Sequence, residues 1–307
     1  MAKIKKILII AIVICFTVLS LAGILKFHEL LKPFNIPYNN LPMSQISVLH
    51  DWAGLTLIFL ILIHLIVQRS WFTGQFKKNK KGSTKILFLI LIGIGTFLLA
   101  SFLINKYLFQ QPESIKKLES IEIKDYQGEN LSSISDFREN SIKGPQNIDI
   151  KNYVLNIDGL VDKKLSLTYD QVLNHNQYTK IVTLNCVEGW SAKILWQGVL
   201  IKDLLTEAGI KPGSNTVIFY AVDGYSSSLS LDYVTNNNIT LAYKINGVVI
   251  PPERGFPFQV VAEDKWGYKW VKWVTKIEVS NDPNYKGYWE NAGYNQNGDL
   301  KGSKYEN

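Results

Sequence analysis

Three apolar runs constrain this chain more than any other feature. They lie at about residues 7–25, 50–68 and 86–105. A helix needs about 20 apolar residues to cross the hydrocarbon core of a bilayer. Inside lipid the backbone must satisfy its own hydrogen bonds, which restricts each run to a helix. An α-helical transmembrane domain of three spans is therefore expected over residues 1–109. The first run is not read as a cleaved leader. Lys26-Phe-His-Glu-Leu-Leu-Lys32 continues its helical pattern, and two more runs follow.

Charge sets the orientation. Residues 1–109 carry 12 Lys+Arg against 2 Asp+Glu, while residues 110–307 carry 21 against 24. The N-terminus has Lys3, Lys5 and Lys6, and the connection between the second and third runs has Arg69, Lys77, Lys78, Lys80, Lys81 and Lys85. The connection between the first two has only Lys26 and Lys32, offset in part by Glu29. Basic loops stay on the cytoplasmic side. A multi-pass protein of the cell membrane is expected, with its N-terminus cytoplasmic and residues 110–307 extracytoplasmic. Trp52 and Trp71 stand near the two ends of the second run, where aromatic anchors belong. The slightly acidic C-terminal part carries no basic stripe, which argues against nucleic acid as a partner.

Ionisable side chains within a span point to function by default. His50 and His64 are 14 residues apart in the second run, and His28 follows the first. Fourteen residues of helix put two side chains on nearly one face, about 21 Å apart. That spacing suits two stacked haems on one helix. His28 and His50 could share one b-type haem near the outer surface, leaving His64 without a histidine partner in the same chain. The competing reading makes all three polar helix-packing residues. Leu49-His-Asp-Trp-Ala-Gly-Leu55, Ile63-His-Leu65 and Trp71 resemble the small cytochrome-b-like membrane domains of bacteria and archaea.

Beyond the runs, residues 110–131 read as a polar linker and 132–307 as a second domain. Strands are expected at Asn152–Ile157, Lys180–Leu184, Thr216–Val222, Ser226–Leu229, Leu241–Ile245, Phe258–Ala262 and Val274–Val279. Helices are expected at Tyr169–Leu173 and Leu200–Ala208, the second ended by Gly209. Pro212-Gly213, Asp223-Gly224, Asn246-Gly247 and Pro251-Pro252 punctuate an α+β pattern. The domain has one cysteine, Cys186, and the chain's other cysteine, Cys15, lies in the first run. Cys186 therefore has no disulfide partner within the domain. A buried cysteine often only packs. A thiolate is also a nucleophile and a soft metal ligand.

The surrounding residues carry a resemblance. Cys186-Val-Glu-Gly-Trp-Ser191 with Trp196-Gln-Gly198 is similar to the molybdenum-ligand segment of the sulfite oxidase family. The similarity is greatest to its prokaryotic branch related to the protein-methionine-sulfoxide reductase catalytic subunit. Asp223-Gly-Tyr-Ser-Ser-Ser-Leu-Ser-Leu231, Ala242-Tyr-Lys-Ile-Asn-Gly247 with Pro251-Pro-Glu-Arg-Gly-Phe-Pro257, and Gly267-Tyr-Lys-Trp-Val-Lys-Trp273 resemble later family blocks in the same order. Together they cover about residues 130–290.

That resemblance implies a sulfite-oxidase-type α+β domain and a molybdopterin cofactor carrying molybdenum or tungsten, with Cys186 as the catalytic metal ligand. Lys272 falls at the family's pterin-contacting lysine. Ser135-Asp-Phe-Arg-Glu-Asn140 looks like a variant of its early pterin-contacting segment, making Arg138 and Glu139 candidates. Arg254 occupies a slot held by His or Asn in relatives. Gln259 replaces an arginine, which keeps a donor but loses the cation and its bidentate fork. The implied activity is two-electron oxygen-atom transfer on a small or protein-borne substrate. Electrons would pass to or from a quinone or another redox partner in the bilayer, and the protein would be a monomer or small oligomer. A second function class is a cofactor-free extracytoplasmic binding module on a membrane anchor.

Overall fold

The computed structural model describes residues 2–26, 43–68, 112–137 and 139–306. The chain divides into two compact units, Met1–Gln110 and Gln111–Asn307. His28, the third apolar run and Arg138 lie outside the described residues.

In the first unit, helix α1 (Ala2–Lys26) packs on helix α2 (Met43–Val67). Lys6–Leu25 is long and apolar enough to cross a membrane. In α2 the apolar stretch is Leu49–His64, shorter than a full span. The expected second span is thus helical throughout, and its helix starts seven residues earlier, at Met43. Small residues bring the two helices together. Gly23 faces the His50 ring, whose Nε2 would lie 3.5 Å from an added methyl, and Gly54 faces Leu19. Ala22 and Ala53 are buried, whereas Ile10, Phe16, Leu55, Phe59 and Ile66 point outward. An apolar outer surface around a small-residue seam suits a lipid solvent.

The second unit is built on two five-stranded sheets. In the first sheet, strands β5 (Gln177–Asn185), β6 (Ser191–Leu200) and β9 (Thr240–Ile245) lie side by side, all antiparallel. The outer edge of β9 is shared by β10 (Val248–Val249) and β11 (Gln259–Val261). The second sheet runs β4 (Leu165–Thr168), β3 (Val154–Gly159), β12 (Val274–Ser280), β7 (Thr216–Ala221), β8 (Ser226–Ser230). Its single parallel pair is β3 with β12. Leu155, Phe219 and Ile277 from this sheet meet Ile194, Trp196 and Val260 from the other in one core. Helix α5 (Ile201–Ala208) adds Ile201, Leu204 and Leu205. Helix α4 (Tyr169–Leu173) starts at the expected residue because Thr168 and Gln171 form a reciprocal cap.

Strand β4 and short helices at Leu231–Asn236 and Tyr288–Asn291 were not expected, and two further stretches differ. Strand β6 had no alternating signal because Ala192, Ile194, Leu195, Trp196 and Val199 are all buried. Residues 112–131, read as a linker, hold helix α3 (Glu113–Glu119) and a hairpin of β1 (Asp125–Tyr126) and β2 (Glu129–Asn130). Ile115 is fully buried in the domain core. One such anchor leaves no periodicity to read.

A single buried amide, that of Asn246, holds the stretch after the hairpin. Asn246 takes a positive φ before Gly247 in the tight turn from β9 to β10. Its Nδ2 donates to Glu122 and to the Ser132 carbonyl, each at 2.9 Å, and its Oδ1 accepts from Leu195 N–H. Glu122 also accepts from Ser133 Oγ and Ile134 N–H. These bonds lash residues 132–134 to the first sheet.

Candidate active site

Cys186 is the first residue after β5, at the base of the loop that returns as β6. Its N–H donates to the Trp190 carbonyl at 2.9 Å, and its own carbonyl accepts from Gly189 N–H at 3.1 Å. Gly189 has φ 93°, a region open to glycine, and this permits the sharp return. The loop tip is exposed but Cys186 is buried. Burial, with the nearby Glu188 carboxylate second, pushes its thiol pKa up to about 12. In this state the sulfur keeps its proton at neutral pH. A soft cation at the same position would displace that proton.

Cys186 is also backed from behind. Asn185 makes a parallel bridge with Trp266. A methyl on Gly267 would lie 3.3 Å from the Asn185 carbonyl oxygen and 3.6 Å from Cys186 Cα. The missing side chain there is what lets the 266–269 turn close on the loop. Among the described residues, no three His, Cys, Asp or Glu side chains converge on a metal position.

A second cluster surrounds Lys272. Its ammonium is mostly buried and lies 3.4 Å from Glu139 Oε1 and 4.4 Å from the Trp273 ring centroid. Burial lowers its pKa to about 8; Glu139 opposes that shift and Arg254 adds to it. Gly255 has φ 112°, and a methyl there would press on Lys272 Cβ and Cγ at 3.1 Å and on Gln259 Cβ at 3.3 Å. Gln259 is buried in β11. The buried Asp223 receives the Tyr225 N–H at 2.9 Å and sits in the field of both Lys272 and Lys143. Lys143 Nζ is 3.5 Å from where a Gly224 side chain would begin.

Phe137, Glu139 and Asn140 join the two clusters. Glu139 reaches Lys272, and Asn140 Nδ2 donates to Glu188 Oε1 at 2.9 Å. Phe137 packs against Trp190 with ring centroids 6.3 Å apart. Arg254 holds this connector from beneath. Its Nε donates to the Ile134 carbonyl at 3.1 Å and its Nη2 to the Phe137 carbonyl at 2.8 Å. Buried at 3% exposure and stripped of water, its pKa falls to about 10. Arg254, read from sequence as a cofactor contact, thus grips the backbone beside the cluster.

The residues fit a molybdopterin group. Ser141 Oγ is buried and without a hydrogen-bond partner. Buried hydroxyls are normally satisfied, so this one suits a bound polar group. The Lys272 ammonium pays a desolvation cost that an added anion would offset. A thiol without a disulfide partner stands at the other end of the same connector. Ser141 and Lys143 escaped the sequence reading, since a lone serine or lysine in a loop carries no periodic or spacing signal, and Asp223 stood out only as part of a turn and a family block. Cys186, Glu139, Gln259 and Lys272 are all found at these two clusters. His50 and His64 belong to the other unit.

Comparison with known proteins agrees. Residues 142–289 match the family model described as the oxidoreductase molybdopterin binding domain. The uncharacterised oxidoreductase YuiH of Bacillus subtilis is 34% identical over 152 residues, 49% of this chain and 76% of that protein. The protein-methionine-sulfoxide reductase catalytic subunit MsrP of Gluconobacter oxydans is 30% identical over 145 residues, 41% of this chain and 46% of it. The NADPH nitrate reductase of Fusarium oxysporum is 29% identical over 167 residues, 46% of this chain but only 18% of it. This chain spans less than half the length of the last two. With a domain match that contains the Cys186 loop and Lys272, the chain belongs to the molybdopterin-binding oxidoreductases of the sulfite oxidase type.

Proposed function

We propose that this protein is a membrane-anchored molybdopterin oxidoreductase that transfers an oxygen atom to or from a small or protein-borne substrate. The observation that carries the reading is the buried Cys186 thiol, joined through Glu139 and Asn140 to the buried Lys272 ammonium. Cys186 would hold the metal through its sulfur. Lys272, Gln259, Ser141 and Lys143 would hold the polar and anionic parts of the organic group, with Glu139 fixing the Lys272 ammonium. When bound, the group supplies a two-electron change at its metal, coupled to oxygen-atom transfer. The chain's own part is to bind and orient: β5 and the 266–269 turn set the sulfur, and Arg254 sets the connector. Phe137, Trp190 and Trp196 keep water from its underside.

The anchor includes Lys6–Leu25, and the basic flanks favour three spans, a cytoplasmic N-terminus and an extracytoplasmic catalytic domain. Electrons would be exchanged with a quinone or another redox partner in the bilayer. His50 and His64 lie on one face of α2, and His64 Nδ1 is buried without a hydrogen-bond partner. An unsatisfied imidazole nitrogen in an apolar helix suits an axial ligand of a b-type haem. His28 would complete the site with His50.

Elemental mass spectrometry of the detergent-purified protein, from a host that loads a related enzyme, tests the reading. Near-stoichiometric molybdenum or tungsten is expected, lost in Cys186→Ala. A metal-free wild type would overturn it in favour of a binding module. His50→Ala should lower haem absorbance while molybdenum stays bound; an unchanged spectrum would remove His50 as a ligand.

A further inference from the structure

The segment from Glu290 to Glu306 lies outside the residues matched by the family model, yet it grips the Cys186 loop. Behind the loop stands Gly267, and its neighbours are all tied to this segment. Trp266 N–H donates to the Gly298 carbonyl at 2.7 Å. Tyr268 Oη donates to the Asn295 carbonyl at 2.7 Å. Lys269 Nζ donates to Gln296 O at 2.9 Å and to Glu290 Oε1 at 2.6 Å, in an ion pair whose side chains are both at 0% exposure. A methyl on Gly298 would strike Lys269 Cγ at 2.5 Å, so the approach depends on glycine.

The segment also touches the loop directly, through Lys304. Its Nζ donates to the Val187 carbonyl at 3.2 Å, one residue from the cysteine, and lies 4.7 Å from the Trp266 ring centroid. One ammonium therefore spans the tip of the loop and the turn that backs it. Lys304 is itself presented rigidly. Tyr294 and Tyr305 form a bridge, Asn295 N–H donates to the Lys304 carbonyl at 3.0 Å, and Glu306 N–H donates to the Gly293 carbonyl at 3.0 Å. Glu306 also pairs with Lys286. The loop's own backbone offers only the Cys186–Trp190 and Gly189–Cys186 bonds. A charged donor to a carbonyl is stronger than a neutral one, and stacking on indole adds to it.

We propose that Lys304 is a positioning residue for the metal-ligand cysteine, holding the 186–190 loop in its ligating shape before any cofactor arrives. This rests on the reading of Cys186 as the metal ligand. Ligands held by outer contacts bind metal more tightly than ligands left to find their geometry.

The test uses the full chain in detergent, with Lys304→Met, Lys304→Gln and Lys304→Arg. Hydrogen exchange of the 183–191 peptide is measured first, in protein from a host unable to make molybdopterin. Exchange about tenfold faster is expected in the Met variant, with strand β7 unchanged as an internal control. The Arg variant, which can still donate and stack, should stay within about twofold of wild type. The Gln variant, a neutral donor, should fall between them and serves if the Met variant unfolds. In loaded protein the Met variant should hold the metal about tenfold more weakly and shift the Mo(V) electron paramagnetic resonance signal, with Arg restoring both. Wild-type exchange and an unshifted signal in the Met variant would overturn the proposal. A wild type without metal whose loop exchange still responds to Lys304 would support the bracing and overturn the cofactor reading instead.

Discussion

The two ends of the candidate site are built on opposite principles. At the Cys186 end, position is set mainly by backbone: a strand end, a glycine turn and a bridge to Trp266, with Lys304 bonded to a loop carbonyl. The reactive atom is a neutral thiol, sealed from water, with its pKa pushed up to about 12. At the Lys272 end, position is set by charge. A desolvated ammonium is met by one carboxylate at 3.4 Å and has Arg254 nearby, with its pKa pressed down to about 8. One end suits a single directional covalent bond, which needs geometry. The other suits a diffuse anionic group, which needs field. The difference predicts that the two ends fail differently when altered.

The largest effect should come from Cys186→Ser. An alcohol is a poor ligand for a soft metal, and the loop would keep its shape because neither its backbone bonds nor the Lys304 contact uses the sulfur. Metal content and turnover should fall by at least about a hundredfold, while the melting temperature of cofactor-free protein stays near wild type. Retained metal in that variant would remove the contrast, since both ends would then bind by charge.

Lys272→Met comes next and should separate stability from binding. A lysine whose folded pKa lies below its unfolded value binds its proton better when unfolded. Its charged form therefore costs stability, fully so below about pH 8, and the cost fades as pH rises toward the unfolded value near 10.5. Removing the charge should stabilise cofactor-free protein at pH 7 by up to about 3 kcal/mol, with the gain vanishing by about pH 10.5. The same variant should bind the cofactor about 10–100-fold more weakly. Chemical denaturation across pH, with cofactor retention measured in parallel, checks both. A variant less stable than wild type at pH 7 would show that the ammonium is satisfied by Glu139 alone.

Gly255→Ala should act through the same end with a smaller effect. The residue must keep φ 112°, and its methyl would press on Lys272 and Gln259. About 2 kcal/mol of stability should be lost. Metal bound at Cys186 should weaken less than in Lys272→Met. Equal loss would mean that the two ends move as one body.

The two ends were not equally legible in the sequence. Cys186 could be found because β-branched Lys180–Leu184 leads straight into it and because it is the domain's one cysteine. The Lys272 end could be read only through resemblance, and only in part. Lys272, Glu139 and Gln259 sit in recognisable blocks, whereas Lys143 comes into the field of Asp223 only in the folded chain. Arg254 was found by slot, and the slot did not indicate that its guanidinium donates to the Ile134 and Phe137 carbonyls. In the fold, β7, β9 and β11 were legible as short apolar runs although nearly all their residues are buried. Strand β6, where Lys193 and Gln197 interrupt the apolar run, and the lone Ile115 anchor were not.

The smallest expected effect probes the directional end where it is held by a side chain. Trp190 Nε1 donates to Glu188 Oε2 at 3.1 Å, and Glu188 is exposed. Trp190→Phe removes that bond but keeps an aromatic ring against Phe137. The backbone bonds of Cys186 do not involve the indole nitrogen. A loss of about 0.5–1 kcal/mol is expected, because an exposed partner returns to water at little cost. Turnover should change by less than about threefold, with the Mo(V) spectrum unmoved. Turnover well below that of Lys272→Met, on a normally folded protein, would mean that side chains at the loop tip set the sulfur, and that the division between a backbone-held end and a charge-held end does not hold.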